Sequence, residues 1–349
     1  MTSDRPNRSR TTLTRAALAP LCRAALGPGR CLTGVQRLRG GSRKGVYRLI
    51  LDDGSTAVAY VWSADEDYWD AGPADPRDPF QGTGLDLFTA AHDRLAAAGV
   101  RTPRLLYADA THTHLPADAA IVEDLPGGSL EEALAHDPRT AREALRHLAE
   151  LLAALHSHTG PRPGRVAVVD NGGSTASGSS EARITEGALR SVEQAAVREP
   201  RVAAVRAQLT DLLHRLAAEV RPRARHTLVH GELGPDHVLL TSDGAPALID
   251  VEGLMYGDVE WEHVFLRLRF GPHYDTLCPP GTELDEPRVR LYRLAMHLGL
   301  AAGPLRLLEG DFPDPAPMRA IAEFNLGRVL ELVTQPSSEL SPEGRSRLL

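Results

Sequence analysis

The stretch LVHGELGPDHVLLTSDGAPALIDVEG, residues 228–253, gathers several side chains that can hold a metal or move a proton. It contains His230, Glu232, His237 and Asp250, with His237 five residues after Glu232 and Asp250 thirteen residues after His237. In phosphoryl transfer a divalent metal neutralises the polyphosphate, and a carboxylate orients or deprotonates the acceptor hydroxyl. For this chemistry Asp250 is the candidate metal ligand and Glu232 the candidate base. One carboxylate alone would be better explained as a turn cap, but the whole array favours a functional site.

Short apolar runs beside these residues predict the strands that position them. The runs HVLL at 237–240 and PALI at 246–249 are separated by TSDGA, in which Ser242-Asp243-Gly244 is typical of a turn. A hairpin of that length brings His237 and Asp250 to the same end of adjacent strands. The two side chains are therefore expected to face one point.

The bulk properties are those of a soluble globular protein, with 349 residues, 42% of them hydrophobic and 24% charged. The net charge of −7 argues against nucleic-acid binding and suits a cationic small substrate better than an anionic polymer. No run of 18 apolar residues is present, so no membrane span is predicted. The three cysteines form no C-x-x-C pair, which favours thiols in a reducing cytosol over disulfides or a structural zinc. These features predict a cytoplasmic protein.

The chain divides into three parts. Residues 1–30 are rich in arginine and predict a basic tail leading into a short helix. Residues 31–125 indicate strands and one long helix, with an Asp-Gly hairpin signal at 53–54. Residues 126–349 are mainly helical, with a low-complexity stretch near 160–182 that predicts a mobile insert. The predicted fold is α+β and bilobal, with a small β-rich N-lobe, a larger mainly helical C-lobe and a small-molecule site in the cleft between them.

The chain resembles the aminoglycoside phosphotransferase family, which has a protein-kinase-like fold. The catalytic loop of that family reads H-G-D with an Asn five residues after the Asp, and its metal motif reads I-D-x-[DE]. Here the loop is HGE at 230–232 with His237 at the Asn position, and the metal motif is IDVE at 249–252. A following Gly-Asp at 257–258 also matches. The resemblance extends over roughly residues 31–335 and is more specific in the C-lobe than in the N-lobe.

The resemblance implies a kinase of a small hydroxylated molecule that uses ATP or GTP and Mg²⁺, with Mn²⁺ as an alternative cation. It implies that Glu232 is the base, Asp250 the chief metal ligand, His237 the second metal ligand, and His230 a support of the loop. The residues that it places at the nucleotide are Gly40, Gly41, Ser42, Arg43 and Lys44 of a Gly-rich loop, Tyr60 of the third strand, and Glu123 and Leu125 of the hinge.

Two departures lie in the C-lobe motifs. Glu232 is one methylene longer than the family's Asp, which displaces the base by about 1 Å and can cost about 10²-fold in rate unless the pocket compensates. His237 replaces Asn, and imidazole is a poor partner for Mg²⁺. The sequence leaves open whether His237 binds Mn²⁺ or Zn²⁺ or instead forms a hydrogen bond with Glu232 or a phosphate.

A third departure lies in the N-lobe, where the family's phosphate-binding lysine and its glutamate partner are missing. Tyr60 stands at the lysine position and Phe88 at the glutamate position, so two aromatic rings are expected to pack there. Lys44 or Arg43 can supply the missing charge, although each by itself is more simply explained as a solvated hairpin cation.

Five acids between residues 250 and 262 suit a substrate with several ammonium groups. The acids expected to bind substrate are Glu252, Asp258 and Glu262, although a solvated acidic loop explains Asp258 nearly as well.

Three functions are compatible with these motifs. The first is a phosphotransferase that acts on a hydroxyl of a small molecule. The alternative is a pseudokinase-like protein that binds a nucleotide or metabolite without turnover, suggested by Tyr60, Phe88 and His237 at positions where the family uses polar groups. A third reaction, transfer of the AMP part of the nucleotide, rests on fold analogy alone. The acceptor and the oligomeric state are not predicted.

Overall fold

The computed structural model describes residues 10, 12–38, 41–69, 82–173, 178–278 and 281–334. The strands of its N-lobe are β1 (Leu32–Arg37), β2 (Gly45–Leu51), β3 (Thr56–Trp62), β4 (Leu105–Asp109) and β5 (Asp118–Glu123). They form one sheet in the order β1-β2-β3-β5-β4, and all four neighbouring pairs are antiparallel.

The predicted hairpin between β2 and β3 is confirmed. Ile50 pairs with Thr56 across the turn. Gly54 has φ 80°, a left-handed conformation that glycine adopts without strain, and the Asp53 side chain accepts a hydrogen bond from the Ser55 N–H at 3.0 Å. Along β2 every second residue is buried, which is the period of a strand that packs on a core.

Helices cover both faces of this sheet. Helix α1 (Arg15–Leu26) buries Leu18 and Leu21 in a core that includes Leu49 of β2. The short helix expected within residues 1–30 is therefore present and docked on the sheet, while residues 1–9 and 11 lie outside the described residues. On the other face, α2 (Leu85–Ala97) packs into a core that also contains residues of β3 and β5.

The C-lobe contains most of the helices. These are α3 (Leu130–His136), α4 (Pro138–Ser157), α5 (Val166–Val169), α6 (Ser180–Ala196), α7 (Pro200–Glu219), α8 (Val259–Phe270), α9 (Tyr274–Leu277), α10 (Glu286–Leu307) and α11 (Pro315–Thr334). Its short strands are β6 (Thr159–Gly160), β7 (Gly164–Arg165), β8 (His226–Val229), β9 (Val238–Leu240), β10 (Pro246–Leu248) and β11 (Met255–Gly257). Strands β9 and β10 form a hairpin, and the other four form a sheet in the order β6-β8-β11-β7.

One hydrophobic core joins the lobes. It contains Val58 and Val122 of the N-lobe sheet together with Leu240, Leu248 and Val251 around the C-lobe hairpin. Because these side chains are at most 7% exposed, the packing fixes the hairpin beneath the sheet. The predicted α+β, bilobal architecture is confirmed.

The stretch near 160–182, predicted as a mobile insert, contains regular elements in the structure. Strands β6 and β7 bracket its first residues, helix α5 follows, and α6 begins at Ser180. Strand β7 pairs with β11 through Arg165 and Met255, so this part of the insert belongs to the C-lobe sheet. Residues 174–177 lie outside the described residues.

Among the described helices, none combines the length and the apolar character that crossing a bilayer requires.

Candidate active site

The β9–β10 hairpin brings the two predicted metal ligands together. Val238 pairs with Leu248, and the Ile249 N–H donates to the His237 carbonyl oxygen at 3.0 Å. Just beyond this pairing, His237 Nε2 lies 3.8 Å from Asp250 Oδ2. The prediction that a hairpin brings these two side chains to one point is confirmed.

Asp250 has an uncommon backbone conformation. Its φ of 58° and ψ of 45° are left-handed, a region that residues other than Gly, Asn and Asp rarely adopt. A single 3₁₀ turn, Val251–Gly253, follows directly. The Asp250 side chain lines the cleft between the lobes and is 49% exposed. Such outliers concentrate at functional sites, where the surrounding structure holds them.

Lys44 reaches this carboxylate from the N-lobe. Its Nζ donates to Asp250 Oδ1 at 2.8 Å and also to Glu252 Oε1, and only 7% of the residue is exposed. Burial by itself lowers the pKa of Lys44, but the two carboxylates outweigh it and raise the pKa above its ordinary value. The same ammonium holds the pKa of Asp250 well below its usual range. Both groups are therefore ionised at neutral pH and form a charged bridge between the lobes.

Aromatic rings occupy the place where the sequence lacks the usual ion pair. The Tyr60 and Phe88 rings meet edge to face with centroids 5.5 Å apart, so the expected packing is confirmed. Trp62 adds a third ring, 5.7 Å from Phe88. Lys44 Nζ lies 5.2 Å from the centroid of the Tyr60 ring, within the range of a cation–π contact. A lysine from just before β2 thus places its ammonium beside the strand position that lacks one.

The composition contains a signal for Lys44 that the motif-based interpretation missed. Lys44 is the only lysine of the chain, and all the other residues among the 39 Lys and Arg are arginines. Lysine presents a compact point charge, whereas arginine presents a planar fork of donors. The single lysine of this arginine-rich chain is the residue that contacts both Asp250 and Glu252.

Glu232 lies on the loop after β8 and lines the same cleft, where it is exposed to solvent. Its pKa is raised, first because surrounding protein atoms displace water from the carboxyl and second because the negative charge of Asp250 is close. His237 and Arg43 act in the opposite direction. A carboxylate with increased proton affinity is a stronger general base at neutral pH.

The hydrogen bonds of His237 define its tautomer. Its Nδ1 lies 3.0 Å from the Glu232 carbonyl oxygen. Since a carbonyl oxygen only accepts, Nδ1 donates, and Nε2 is the ring nitrogen left for other partners. That nitrogen lies 3.7 Å from Asp236 Oδ2 and 3.8 Å from Asp250 Oδ2.

These donors fit a divalent cation that also uses ligands from a substrate. Asp250 offers an oxygen and His237 a nitrogen, and the described residues contain no cluster of three or more His, Cys, Asp or Glu side chains arranged to hold a metal. Mg²⁺ in phosphoryl-transfer sites commonly takes one or two carboxylates together with phosphate oxygens and water. The imidazole nitrogen makes Mn²⁺ a closer match to this donor set.

His230 is buried and helps to fix the loop that contains Glu232. It is 1% exposed, its Nε2 donates to the Ile249 carbonyl oxygen at 3.0 Å, and its ring stacks on that of His237 with centroids 5.9 Å apart. Burial, followed by the nearby His237, lowers the pKa of His230 to about 4. The ring is therefore neutral at pH 7 and joins the catalytic loop to the segment that carries Asp250.

The structure does not bring Glu262, expected among the substrate-binding acids, to the cleft. Glu262 is fully buried behind the loop, and its Oε2 accepts the N–H groups of His230 at 2.5 Å and Gly231 at 3.4 Å. Burial raises the pKa of Glu262 to about 7. Its carboxyl therefore fixes the backbone of the loop at His230 and Gly231.

The Glu262→Gln variant is expected to remove a pH dependence of stability. Because the folded-state pKa of about 7 lies above the ordinary 4.5, the free energy of unfolding falls as pH rises between these values. This shift corresponds to about 3 kcal/mol. Glutamine keeps an oxygen for the two N–H groups and does not ionise. Urea unfolding should show that, between about pH 5 and about pH 8, the free energy of unfolding falls more for the wild type than for the variant. An equal pH dependence in the two proteins would contradict the raised pKa of Glu262.

Asp258 also lies away from the cleft. It is 2% exposed, and its Oδ2 accepts hydrogen bonds from Arg288 Nη1 at 2.7 Å and from the Tyr292 hydroxyl. Glu260 is likewise buried and accepts two hydrogen bonds from Arg223, each of 2.7 Å. Of the three acids expected to bind substrate, only Glu252 lines the cleft, where it is paired with Lys44. Asp258 does not reach the cleft because it is paired with Arg288 inside the C-lobe, and Glu262 does not because backbone N–H groups hold it there.

The Gly-rich loop partly lies within the described residues. Gly41, Ser42 and Arg43 line the cleft beside Lys44, whereas Gly40 lies outside the described residues. Gly41 has φ 74°, and a Cβ atom there would lie 2.6 Å from the Lys44 carbonyl oxygen. Only glycine fits this position without displacing the backbone that carries Lys44.

The hinge residues follow β5. The Glu123 carboxylate accepts hydrogen bonds from Arg101 Nη2 at 2.5 Å and from the Arg104 N–H at 3.1 Å, and Leu125 is 6% exposed. Both side chains are therefore engaged within the protein, and neither residue lines the cleft that contains Glu232 and Asp250.

Arginines that the motif-based interpretation did not single out also line the cleft. They are Arg165, Arg190, Arg269 and Arg306. Arg165 donates to the Glu252 carbonyl oxygen, and Arg269 Nη2 donates to Asp236 Oδ1 at 2.6 Å. They come from β7, α6, α8 and α10, so no local sequence motif marks them as a group.

The model of one protein family matches most of the chain. It is the phosphotransferase enzyme family, and the match covers residues 35–298. None of the curated proteins compared matches the chain.

Several solved structures share the fold. A thermostable mutant of aminoglycoside phosphotransferase APH(4)-Ia without ligand has a TM-score of 0.60 and 19% identity, covering 87% of this chain and 94% of its own. Spectinomycin phosphotransferase APH(9)-Ia with ADP and spectinomycin has a TM-score of 0.61 and 11% identity, covering 93% and 98%. The GDP and kanamycin complex of APH(2")-IIia has a TM-score of 0.57 and 18% identity, covering 89% and 96%.

Proposed function

Because the chain belongs to the phosphotransferase enzyme family, we propose that it transfers the terminal phosphoryl group of ATP or GTP to a hydroxyl of a small molecule. The observation that carries this proposal is the convergence of Lys44, Glu232 and Asp250 on one cleft between the lobes. Structures with the same fold contain ADP in one case and GDP in another, so both nucleotides are candidates.

Glu232 is the proposed general base. A base must lie in the cleft, near the metal segment, with a proton affinity suited to accept a hydroxyl proton. Glu232 lines the cleft and has a raised pKa. Its longer side chain, relative to aspartate, extends the carboxylate into the exposed part of the cleft, where an acceptor can enter.

Lys44 is the proposed phosphate-binding cation. It is buried, ionised and held 2.8 Å from the carboxylate of Asp250. A fixed ammonium in a partly dehydrated cleft stabilises the charge of the transferring phosphoryl group, because no solvent reorganisation is needed at that moment. The Gly-rich loop residues Gly41, Ser42 and Arg43 supply further N–H groups and charge beside it.

Asp250 and His237 are the proposed protein ligands of the divalent cation, Mg²⁺ or Mn²⁺. When bound, that cation would neutralise phosphate charge during transfer. The backbone of Glu123 and Leu125 is the proposed hinge contact for the nucleotide base. The free thiols of the three cysteines suit a cytoplasmic location, which we also propose.

The Glu232→Gln variant tests the proposed base. Glutamine keeps the shape but cannot take a proton, so kcat is expected to fall by about 10²- to 10⁴-fold while nucleotide affinity changes little. The measurement is nucleotide-dependent phosphoryl transfer to acceptor or water, together with nucleotide binding by calorimetry.

The matched control is Glu150→Gln, which removes a carboxylate that is 64% exposed on α4 and should leave the rate unchanged. Equal activity of wild type and Glu232→Gln would overturn the role of Glu232. Saturable nucleotide binding without any turnover by the wild type would instead favour a binding protein that senses nucleotide, in which Tyr60, Phe88 and His237 replace the polar groups of an active kinase.

A further inference from the structure

Lys44 occupies the space between the two acidic side chains of residues 249–252, which we call the metal segment. Its Nζ donates to Asp250 Oδ1 at 2.8 Å and to Glu252 Oε1, and the centroid of the Tyr60 ring lies 5.2 Å from the same nitrogen. Two carboxylates and one aromatic ring therefore surround the ammonium. Facing carboxylates are also the ligands that a divalent cation such as Mg²⁺ prefers.

Glu252 has no oxygen open to a cation in the cleft. Its Oε1 accepts the hydrogen bond from Lys44, and its Oε2 is buried without a hydrogen-bond partner among the described residues. The residue is 7% exposed. Arg165 donates to its carbonyl oxygen, which fixes the backbone of the metal segment. A divalent cation that used Glu252 would first have to displace the ammonium of Lys44.

Asp250 presents its two carboxylate oxygens to different partners. Oδ1 accepts from Lys44, whereas Oδ2 lies 3.8 Å from His237 Nε2. The side chain is 49% exposed and lines the cleft. A divalent cation therefore has one face of this carboxylate available, which is the face shared with His237.

The ammonium of Lys44 also keeps a donor for a phosphate. An ammonium has three N–H groups, and in the described part of the chain Asp250 and Glu252 accept from two of them. Lys44 lines the cleft beside Gly41 and Ser42 of the Gly-rich loop. A phosphate oxygen that accepts the third N–H would be joined to the metal segment through Lys44. Joining phosphate to carboxylate in this way is the role of a divalent cation in phosphoryl-transfer sites.

These contacts bear on the number of cations at the site. In protein kinases two Mg²⁺ ions lie at the phosphates, held by an aspartate of the metal motif and an asparagine of the catalytic loop. We infer that this chain uses one divalent cation, on Asp250 Oδ2 and His237, and that the Lys44 ammonium replaces the second one between Asp250 and Glu252. The inference rests on the proposed phosphotransferase function and deepens it, because it makes Glu252 a positioning residue for Lys44 that binds no metal.

Counting bound Mn²⁺ tests the inference without a turnover assay. Mn²⁺ is titrated into the full chain, which is kept in excess over a non-hydrolysable analogue of ATP or GTP so that all the nucleotide is bound. The EPR signal of free Mn²⁺ then reports how much has bound, and the same titration without nucleotide gives the baseline. We expect one Mn²⁺ per bound nucleotide in the wild type. Two Mn²⁺ per bound nucleotide would overturn the inference.

Variants of Lys44 locate the position of the replaced cation. Lys44→Ala removes the ammonium and leaves both carboxylates, so it should bind two Mn²⁺ per nucleotide. The Lys44→Ala, Glu252→Gln double variant removes one of these carboxylates and should return to one. The control is Arg30→Ala, which removes a cation of the same lobe that is 44% exposed and should keep the wild-type count. A count that stays at one in folded Lys44→Ala would contradict the assigned position.

Glu252→Gln addresses the same question in a protein that keeps Lys44. Because Glu252 binds the ammonium and no metal, this variant should bind as many Mn²⁺ ions per nucleotide as the wild type. A smaller count than in the wild type would show that Glu252 is a metal ligand and would overturn the inference. Thermal unfolding verifies that each variant is folded.

Metal counting and turnover together separate this inference from the proposed function. If the wild type binds one Mn²⁺ per nucleotide but transfers no phosphoryl group, the proposed reaction fails and the cation assignment stands. If transfer occurs with two Mn²⁺ bound, the reaction stands and this inference fails. If neither nucleotide analogue binds, both fail.

Discussion

The Asp250→Ala variant should lose nucleotide-dependent phosphoryl transfer by about 10⁴-fold, because a metal that neutralises phosphate charge contributes several kcal/mol to the transition state. Asp250 is the carboxylate that faces both Lys44 and His237, at 2.8 Å and 3.8 Å respectively. Its removal leaves Lys44 with Glu252 as its remaining carboxylate partner and takes away the oxygen proposed to bind the divalent cation. The measurement is the rate of ADP or GDP formation with saturating nucleotide, over a series of Mg²⁺ and Mn²⁺ concentrations.

The control for this variant is Asp243→Ala, at the tip of the same hairpin. Asp243 accepts a hydrogen bond from the Thr241 hydroxyl and does not line the cleft, so its loss should leave the metal-dependent rate unchanged. A rate of Asp250→Ala within about 10-fold of wild type would show that this carboxylate does not hold the metal.

The Lys44→Met variant is expected to reduce phosphoryl transfer by about 10³-fold, the upper range for losing one preorganised charge in an active site. Methionine has a similar length but no charge. The loss should appear in both kcat and the affinity for the triphosphate, while adenosine or guanosine affinity should change little. Steady-state kinetics and nucleoside binding together measure this difference.

Removing Lys44 also leaves Asp250 and Glu252 without their shared cation, which can destabilise the fold. The Lys44→Met, Glu252→Gln double variant removes one of the two carboxylates as well and should recover thermal stability without recovering activity. Arg30→Met removes an exposed cation of the same lobe, paired with Asp53, and should leave the rate unchanged. Recovery of activity together with stability in the double variant would show that Lys44 acts only on the fold.

Local sequence patterns predicted the elements that carry the chemistry. The hairpin between His237 and Asp250 follows from two apolar runs and one turn, and pairing of neighbouring segments requires little long-range information. The Asp53-Gly54 hairpin was predictable for the same local reason. The Tyr60–Phe88 contact followed instead from the family resemblance, which places the two residues at the positions of an ion pair.

The acids at 258–262 show the limit of prediction from local sequence patterns. Their spacing suits an exposed acidic loop, but the partners that bury them come from distant segments, Arg223 and Arg288 for Glu260 and Asp258. Glu262 is held by backbone N–H groups. Whether an acid faces solvent or an arginine is decided by tertiary packing, which periodicity does not reveal.

Lys44 and the arginines that line the cleft illustrate the same limit. A cation in a Gly-rich loop is usually solvated, and only the packing of the N-lobe against the C-lobe brings Lys44 to Asp250. Arg190 and Arg306 are 116 positions apart in the sequence and line one cleft because α6 and α10 pack together. The lone lysine in the composition was the available sequence signal.

Selective ¹⁵N-lysine labelling tests most directly whether nucleotide phosphates bind at Lys44. Since the chain has one lysine, the side-chain ammonium should give a single resonance, and its burial and raised pKa favour slow proton exchange. We predict that this resonance shifts on titration with Mg²⁺ and ATP or GTP, saturates, and shifts far less with adenosine or guanosine. A lysine resonance unchanged by saturating amounts of both triphosphates, in protein that remains folded, would contradict the account.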